Sequence, residues 1–172
     1  MTARGEAPLV AAEAFWRFSV KFYAHADNRQ ALLALQDRGG LDVNLVLFAL
    51  WLGLSGRAPL SQPQLVVAEE AIGKIRQQIT EPLRHLRRRL RRDPDADVQR
   101  LRRQIAAVEL ATEKAAQARL AALAGAAEPG TAPESRRAAA ERNLVLCLGP
   151  RHAASAEAAA LRQALAEFAG PG

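Results

Sequence analysis

The most apolar stretch of the chain covers residues 41–54, and within it hydrophobic side chains fall on every side of a helical wheel. A helix of this kind must be buried all round, so the pattern predicts a central core helix. Asp42 follows a Gly-Gly pair and is the predicted N-cap, and Gly53 or Gly56 is expected to end the helix. Leucine and alanine dominate the run, which favours helix over strand. It is too short for a membrane span, which needs about 20 residues.

Apolar residues at spacings of three and four predict an amphipathic helix over residues 9–25. Its inner face is aromatic and carries Phe15, Phe18 and Phe22. A short second helix, capped by Asp27 or Asn28, leads through the Gly-Gly turn into the central helix. These three helices are expected to form a compact unit over residues 9–56.

Two long apolar stripes predict two further helices between residues 61 and 124. The first stripe comprises Leu65, Ala68, Ile72, Ile75, Ile79, Leu83, Leu86 and Leu90. The second comprises Val98, Leu101, Ile105, Val108, Ala111 or Thr112, Ala115, Leu120 and Leu123. A tight turn at residues 93–95 joins the helices, which predicts an antiparallel hairpin that leans on the N-terminal unit or on a copy of itself. Pro82 predicts a kink or break near Thr80 and Glu81.

The rest of the chain is rich in alanine. Residues 125–134 also contain Gly and Pro and predict a flexible linker. A short helix is expected over residues 136–148, although its apolar end also fits a strand, and a last amphipathic helix is expected over 155–168. Residues 1–8 are expected to be disordered.

The predicted fold is therefore all-α. It has an N-terminal three-helix core, a long antiparallel helical hairpin and Ala-rich C-terminal helices. Residues 9–124 are expected to form one helical domain, to which the segment 135–172 is loosely attached. Seven of the eight aromatic residues lie within the first 51 positions, which predicts that the best-packed core is N-terminal.

The most prominent charge feature of the sequence is a cluster of arginines. Between residues 74 and 103 there are eleven positive and four negative side chains, whereas the whole chain carries a net charge of +6. The candidate polyanion or partner face comprises Arg84, Arg87, Arg88, Arg91, Arg100 and Arg103. The first four of these share one side of a helix, opposite its leucines. Arg forks suit phosphate or carboxylate, but a solvated helix surface explains the same pattern, and no interleaved aromatic supports base stacking.

A second candidate is the polar group before and within the first turn of the central helix. It comprises Gln36, Asp37, Asp42 and Asn44, with Trp16 or Tyr23 as a wall. Two nearby carboxylates are able to bind a cation or to act as an acid/base pair. The alternative is that these side chains cap the helix and hold the Gly-Gly turn. Trp16 and Tyr23, two turns apart on the flank of the aromatic face, are the expected partner contacts.

The sequence lacks the motifs of well-known metal, nucleotide-binding and catalytic sites. His25, His85 and His152 share no metal-ligand spacing, and no phosphate loop, dinucleotide fingerprint or nucleophile elbow occurs. We therefore expect no catalytic residue, metal or cofactor. The single cysteine, Cys147, excludes an internal disulfide and is expected to be inert. No apolar leader is visible, which predicts a cytoplasmic protein.

One segment resembles a known family. The residues FWRFSVKFY at 15–23 and LALQDRGGLDVNLVLFALWL at 33–52 resemble short proteobacterial proteins that are grouped as a domain of unknown function. The similarity covers roughly residues 9–120. The resemblance implies a small soluble bacterial protein and brings no activity, cofactor or catalytic residue.

Three functions remain open from the sequence. The first is a non-enzymatic helical interaction or adaptor protein that holds a protein partner in the groove between core and hairpin, or on the Arg face, and that is able to pair with itself through the hairpin. The second is nucleic-acid binding through the Arg cluster, which predicts a steep salt dependence. The third is a small-ligand or enzyme site at the polar group, which requires those side chains to converge on an open pocket.

Overall fold

The structure, a computed structural model, describes residues 3–128 and 130–168 and is all-α over these residues, as predicted. The helices are α1 (Ala3–Ala24), α2 (Ala26–Gly39), α3 (Val43–Leu54), α4 (Gln62–Ile75), α5 (Glu81–Arg89), α6 (Ala96–Leu123), α7 (Pro133–His152) and α8 (Ala156–Glu167). Residues 3–8, which were expected to be disordered, are helical because α1 begins at Ala3; residues 1 and 2 lie outside the described residues.

The central helix is α3, and every residue from 44 to 54 is buried. The Asp42 carboxylate accepts a hydrogen bond of 2.8 Å from the backbone N–H of Asn44, so the predicted N-cap is confirmed. Trp51 is fully buried and stacks on Phe15 of α1 with 5.0 Å between ring centroids. The aromatic face of α1 therefore packs directly on the central helix.

Polar side chains also begin three further helices. Ser61 and Gln64 form a capping box at the start of α4, and Asp95 and Ser155 cap α6 and α8. The start of α2 differs from the expectation: its N-cap is His25, which makes no side-chain capping bond, and Asp27 and Asn28 lie inside the helix. Between α2 and α3, Gly40 adopts a φ of 66°, a left-handed conformation that favours glycine and ends α2. These local signals mark the starts of α3, α4, α6 and α8 and the end of α2.

The expectation that the C-terminal segment is loosely attached is wrong. A Cβ built on Gly53 of α3 would lie 2.1 Å from the backbone nitrogen of Ala140 in α7, so the two helix backbones are in direct contact. Asn143 of α7 is 1% exposed. Its amide donates to the Ala49 carbonyl at 3.1 Å and accepts from the Leu60 N–H at 2.8 Å. The first part of α7 is therefore integral to the core.

The other C-terminal elements are also anchored. The end of α7 that also fitted a strand is helical up to Gly149, which interrupts the helical path. Phe168, next to the end of α8, packs on Phe18 and Phe22 with 5.4 Å between centroids in each case. In the expected linker, the Glu128 N–H bonds the Gly56 carbonyl at 2.9 Å; residue 129 lies outside the described residues.

The predicted hairpin is present: α4 and α5 run antiparallel to α6 within the same chain. At its tip, the Gln99 side-chain amide donates to the carbonyls of Leu90 and Asp93 at 2.9 and 2.7 Å. These bonds tie the turn at the end of the first arm of the hairpin to the first turn of α6. None of the helices in the described parts of the chain is long and apolar enough to cross a bilayer.

A π-helical turn at Arg76–Thr80 joins α4 to α5, just before Pro82, where a distortion was expected. It adds one residue to the turn, so the inward position passes from Ile75 to Thr80 instead of Ile79. Ile79 is 45% exposed, whereas Thr80 is buried and its hydroxyl bonds that of Thr112 on α6 at 2.8 Å. Beyond this point the predicted leucine stripe is no longer buried: Leu86 is 40% exposed, and Leu83 and Leu90 are only partly buried.

The second predicted stripe is also wrong along part of α6. Leu101 and Val108 are 55% and 51% exposed, whereas Glu109 and Gln117 are buried. The inward residues of α6 are Glu109, Thr112, Ala116, Gln117, Leu120 and Ala121. Polar side chains can occupy these positions because they bond partners on α3 and α5, which the periodicity of a single helix does not reveal.

A candidate binding cleft between the core and the hairpin

A cleft of about 700 Å³ lies between the N-terminal helices and the hairpin, lined by α1, α2, α3, α5 and α6. Its apolar lining includes Trp16, Val20, Leu33, Val43, Leu47 and Leu110. Its polar lining includes Tyr23, Arg29, Gln36, Asn44, Arg84, Arg87, Arg88, Glu109, Glu113 and Gln117. We call this feature the cleft.

The apolar walls of the cleft are open to solvent. Val20 on α1, Leu33 on α2 and Leu110 on α6 are 53%, 37% and 57% exposed. They approach the cleft from three different helices, so they do not form one amphipathic stripe that a neighbouring helix of this chain covers. Exposed apolar surface that lines a concavity is typical of a binding site.

A connected set of polar side chains forms the inner wall. The Glu109 carboxylate accepts from Arg84 Nε at 3.1 Å and binds Arg87 through two guanidinium nitrogens. Glu113 accepts one hydrogen bond from Arg84 Nη2 and one from the side-chain amide of Asn44. Gln117 in turn donates to Asn44 Oδ1 at 3.0 Å. The network ties α6 to both α3 and α5.

The carboxyl groups of this network titrate differently. Burial by itself raises the pKa of Glu109, but the hydrogen bonds and charges of Arg87 and Arg84 outweigh it and hold that pKa below its usual value. For Glu113 burial dominates and raises the pKa, with Asn44 and Arg84 offsetting only part. Burial likewise raises the pKa of Asp42 and of the Tyr23 hydroxyl. The pKa values of the two glutamates in the network are therefore shifted in opposite directions.

The structure divides the polar group that the sequence singled out. Gln36 and Asn44 line the cleft beside Trp16 and Tyr23. Asp42 instead caps α3, with Arg76 Nη1 3.8 Å from its second oxygen. Asp37 lies at the rim, where it binds Arg88 at 2.7 Å.

The two aspartates, Asp37 and Asp42, therefore serve different partners. The structure does not bring them together as the expected acid/base pair or cation site. In the described residues, no group of three His, Cys, Asp or Glu side chains is placed to hold a metal ion.

The candidate Arg face is divided as well. Arg84 and Arg87, expected on the solvent side opposite the leucines, point into the inner wall of the cleft and are paired with glutamates. The extra residue of the π-helical turn causes this change, because Arg84 and Arg87 continue the inward spacing of Thr80. Arg88 lies at the rim of the cleft.

The other three members of the candidate face stay on the hairpin tip. Arg91, Arg100 and Arg103 are all exposed there. Arg100 pairs with Asp97 within α6. The six arginines therefore do not form one surface.

Sequence reasoning missed the contribution of α6. Glu109, Glu113 and Gln117 occur at i, i+4 and i+8, which places them on one side of a helix among alanines. That polar stripe is a recognisable signal, since a face with few large apolar groups is expected to be either solvated or paired. The pairing partners, however, come from helices distant in sequence.

Cys147 lies on α7 outside the cleft. Burial raises the pKa of its thiol to about 12, so the thiolate form is scarce at neutral pH. This environment matches packing rather than nucleophilic chemistry.

The fold and the cleft define a class: an all-α bundle in which a buried central helix and a helical hairpin enclose an open, amphipathic groove. More particularly, the chain belongs to the family described as a protein of unknown function, DUF2390, which it matches over residues 14–120. The matched range contains the central helix, the hairpin up to the last turn of α6 and every side chain that lines the cleft. No curated protein and no solved structure matches the chain.

Proposed function

We propose that this chain is a non-enzymatic interaction protein of the bacterial cytoplasm that holds a segment of another protein in the cleft. The observation that carries the proposal is the cleft itself, a groove between the N-terminal helices and the hairpin with apolar walls and charged edges. Grooves of this kind bind amphipathic segments by covering their apolar side chains.

The openness of the apolar walls favours a protein segment over an enclosed small ligand. Small-molecule sites bury most of the ligand surface. Here Val20 and Leu110 remain more than half exposed, so an occupant has to extend over the rim to cover them. A chain segment does this, and a molecule confined to the interior of the cleft does not.

The inner wall supports binding rather than acid/base chemistry. Glu109 is engaged by two guanidinium groups, and Glu113 is engaged by one guanidinium and one amide. The guanidinium contacts lower the pKa of Glu109, which makes this carboxylate a poor proton acceptor. Both carboxylates hold α5 and α6 in place, which keeps the cleft in shape.

The test is site-specific photocrosslinking in cells that make the protein. A photoreactive residue is placed in the cleft at Leu110 in one variant and outside it at Val66 on α4 in another; both side chains are exposed. We expect a discrete crosslinked protein from position 110 that is missing from position 66. A second variant, Val20→Asn with Leu33→Asn, should abolish that crosslink. Identical crosslinks from both positions, or none from position 110, would refute the proposal.

A second candidate function, polyanion binding, is supported by the hairpin tip. Four exposed side chains there have no carboxylate within 4 Å among the described residues, namely Arg89, Arg91, Arg92 and Arg103. These four, unlike Arg84 and Arg87, can be removed without disturbing the cleft wall. Their replacement by Ala should abolish any salt-steep binding of RNA, DNA or heparin. Binding that persists in this variant, or no binding at low salt, would exclude the tip as a polyanion site.

A further inference from the structure

Charged side chains are paired with each other in the inner wall of the cleft, whereas positive side chains are in excess at its rim. In the inner wall, Arg84 and Arg87 face Glu109 and Glu113, and each guanidinium is bound to at least one of these carboxylates. The wall is therefore close to neutral and holds its charges within the protein. A partner side chain that reaches this depth meets a surface that needs no additional counter-charge.

The rim carries excess positive charge. Arg29 on α2 is exposed and has no carboxylate within 4 Å in the described parts of the chain. Arg88 on α5 binds Asp37, but both side chains are about half exposed, so water screens the pair and a competing carboxylate can replace it at little cost. Lys114, also exposed, lies 5.6 Å over the ring of Trp16. Arg29 and Arg88 line the cleft, Lys114 lies beside its Trp16 wall, and Asp37 is paired with Arg88, so positive charge is in excess at the rim.

The dimensions of the cleft suit a short helix. Its lining extends over residues 16–24 of α1 and 106–117 of α6, which at 1.5 Å per residue corresponds to about 12 and 16 Å. Apolar side chains at i, i+4 and i+7 of an amphipathic helix span about 10 Å. Three such side chains therefore fit along the apolar walls.

From these observations we propose that the segment held in the cleft is an acidic amphipathic helix, with its apolar face on Val20, Leu33 and Leu110 and its flanking carboxylates at Arg29 and Arg88. This inference rests on the proposed function and adds the chemical class of the partner. Electrostatic complementarity at a rim sets partner choice and association rate more than total affinity. The apolar walls supply the affinity, and the rim selects acidic partners against basic ones.

The experiment is a selection from a displayed library of amphipathic helices in which the three apolar positions and the flanking positions are randomised. On the wild-type protein we expect enrichment of large apolar residues at the three positions and of Asp and Glu at the flanks. On Arg29→Gln with Arg88→Gln, the apolar enrichment should persist and the acidic enrichment should disappear. The matched control, Arg142→Gln, changes an exposed arginine of α7 that does not line the cleft and should leave both enrichments intact.

A peptide obtained from this selection is then used to measure how much its flanking carboxylates contribute to binding. Changing its flanking Glu residues to Gln should weaken binding to the wild type about tenfold at low salt and much less at high salt, because exposed ion pairs are weak and screened. The same change should have little effect on binding to the protein that lacks Arg29 and Arg88. Equal binding of both peptides to the wild type would overturn the acidic assignment.

Failure of this inference is distinguishable from failure of the proposed function. If apolar enrichment depends on Val20 and Leu33 but the flanks show no acidic preference, the cleft binds segments and only the charge class is wrong. If replacing Val20 and Leu33 by Asn changes neither enrichment, the cleft is not the binding site and the proposed function falls. If the wild type enriches nothing, or if it self-associates through the cleft, the inference is overturned as well.

Discussion

The contact between α3 and α7 predicts that Gly53→Ala destabilises the protein. A Cβ at this position would lie 2.1 Å from the nitrogen, 2.3 Å from the Cα and 2.7 Å from the Cβ of Ala140. Ordinary contacts of a Cβ start at 3.4 Å. Two of the three atoms belong to the backbone of α7, so no side-chain rotation relieves the overlap. The two helices have to move apart by about 1 Å, which disturbs packing along the whole contact.

The magnitude follows from two opposing effects. Overpacking of a core typically costs about 1–3 kcal/mol, and a backbone overlap of this size belongs at the upper end. Alanine is a better helix former than glycine by about 1 kcal/mol, which offsets part of the loss. The expected net loss in the free energy of unfolding is about 2 kcal/mol, which for a chain of this length lowers Tm by about 4–8 °C.

The assay is urea and thermal unfolding of Gly53→Ala beside Gly73→Ala. Gly73 lies inside α4, and a Cβ built on it has no atom within 4 Å, so this variant gains only helix propensity. We expect it to be stabilised by about 1 kcal/mol. Equal stabilisation of both variants would refute the direct contact of the α3 and α7 backbones, and with it the integral position of α7 in the core.

Three further predictions concern the polar core and the hairpin. Asn143→Ala should cost about 2–3 kcal/mol in urea unfolding, because it leaves the Leu60 N–H without its acceptor and removes a buried side chain from the contact of α7 with α3. Glu109→Gln should cost about 3 kcal/mol at pH 7. Because the pKa of Glu109 is lowered in the folded protein, the wild-type advantage is fully present above the ordinary carboxyl pKa, and the deficit of the variant should shrink as the pH falls through the lowered pKa. Glu70→Gln, an exposed control on α4, should cost far less at pH 7. Deletion of Gln78 together with Pro82→Ala should convert the π-helical turn to regular helix, keep Thr80 facing inward, and leave the far-UV circular dichroism and Tm close to wild type; a strong loss of Tm would show that the π-helical turn is itself required.

Local signals in the sequence predicted most of the elements. Asp42, Ser61 and Ser155 each accept a hydrogen bond from the first turn of the helix they precede, as their positions before apolar runs indicated. The burial of α3 followed from its uniform apolarity. These features depend on neighbours within about four residues, which the sequence displays directly.

The position of the arginines could not be predicted in the same way. A regular helix through Ile75 and Ile79 places Arg84 and Arg87 in solvent, and the apolar periodicity of the sequence supports that helix. The π-helical turn changes which side of the helix each later residue occupies. The inward Thr80 is held by the hydroxyl of Thr112 on α6, which lies 32 residues away in the sequence. One inserted residue thus turned an expected solvent surface into the wall of a cleft.

The sequence by itself determined that this protein is all-α, where most of its helices start and stop, and which helix lies at the centre. Only the tertiary structure decided that α7 packs on α3 and that Arg84 and Arg87 line the groove between core and hairpin. The physical reason is that helix formation is governed by interactions between residues close in the chain. A helix–helix contact such as that of Gly53 with Ala140, or a buried ion pair such as that of Arg84 with Glu109, depends on two surfaces whose mutual fit neither segment encodes alone.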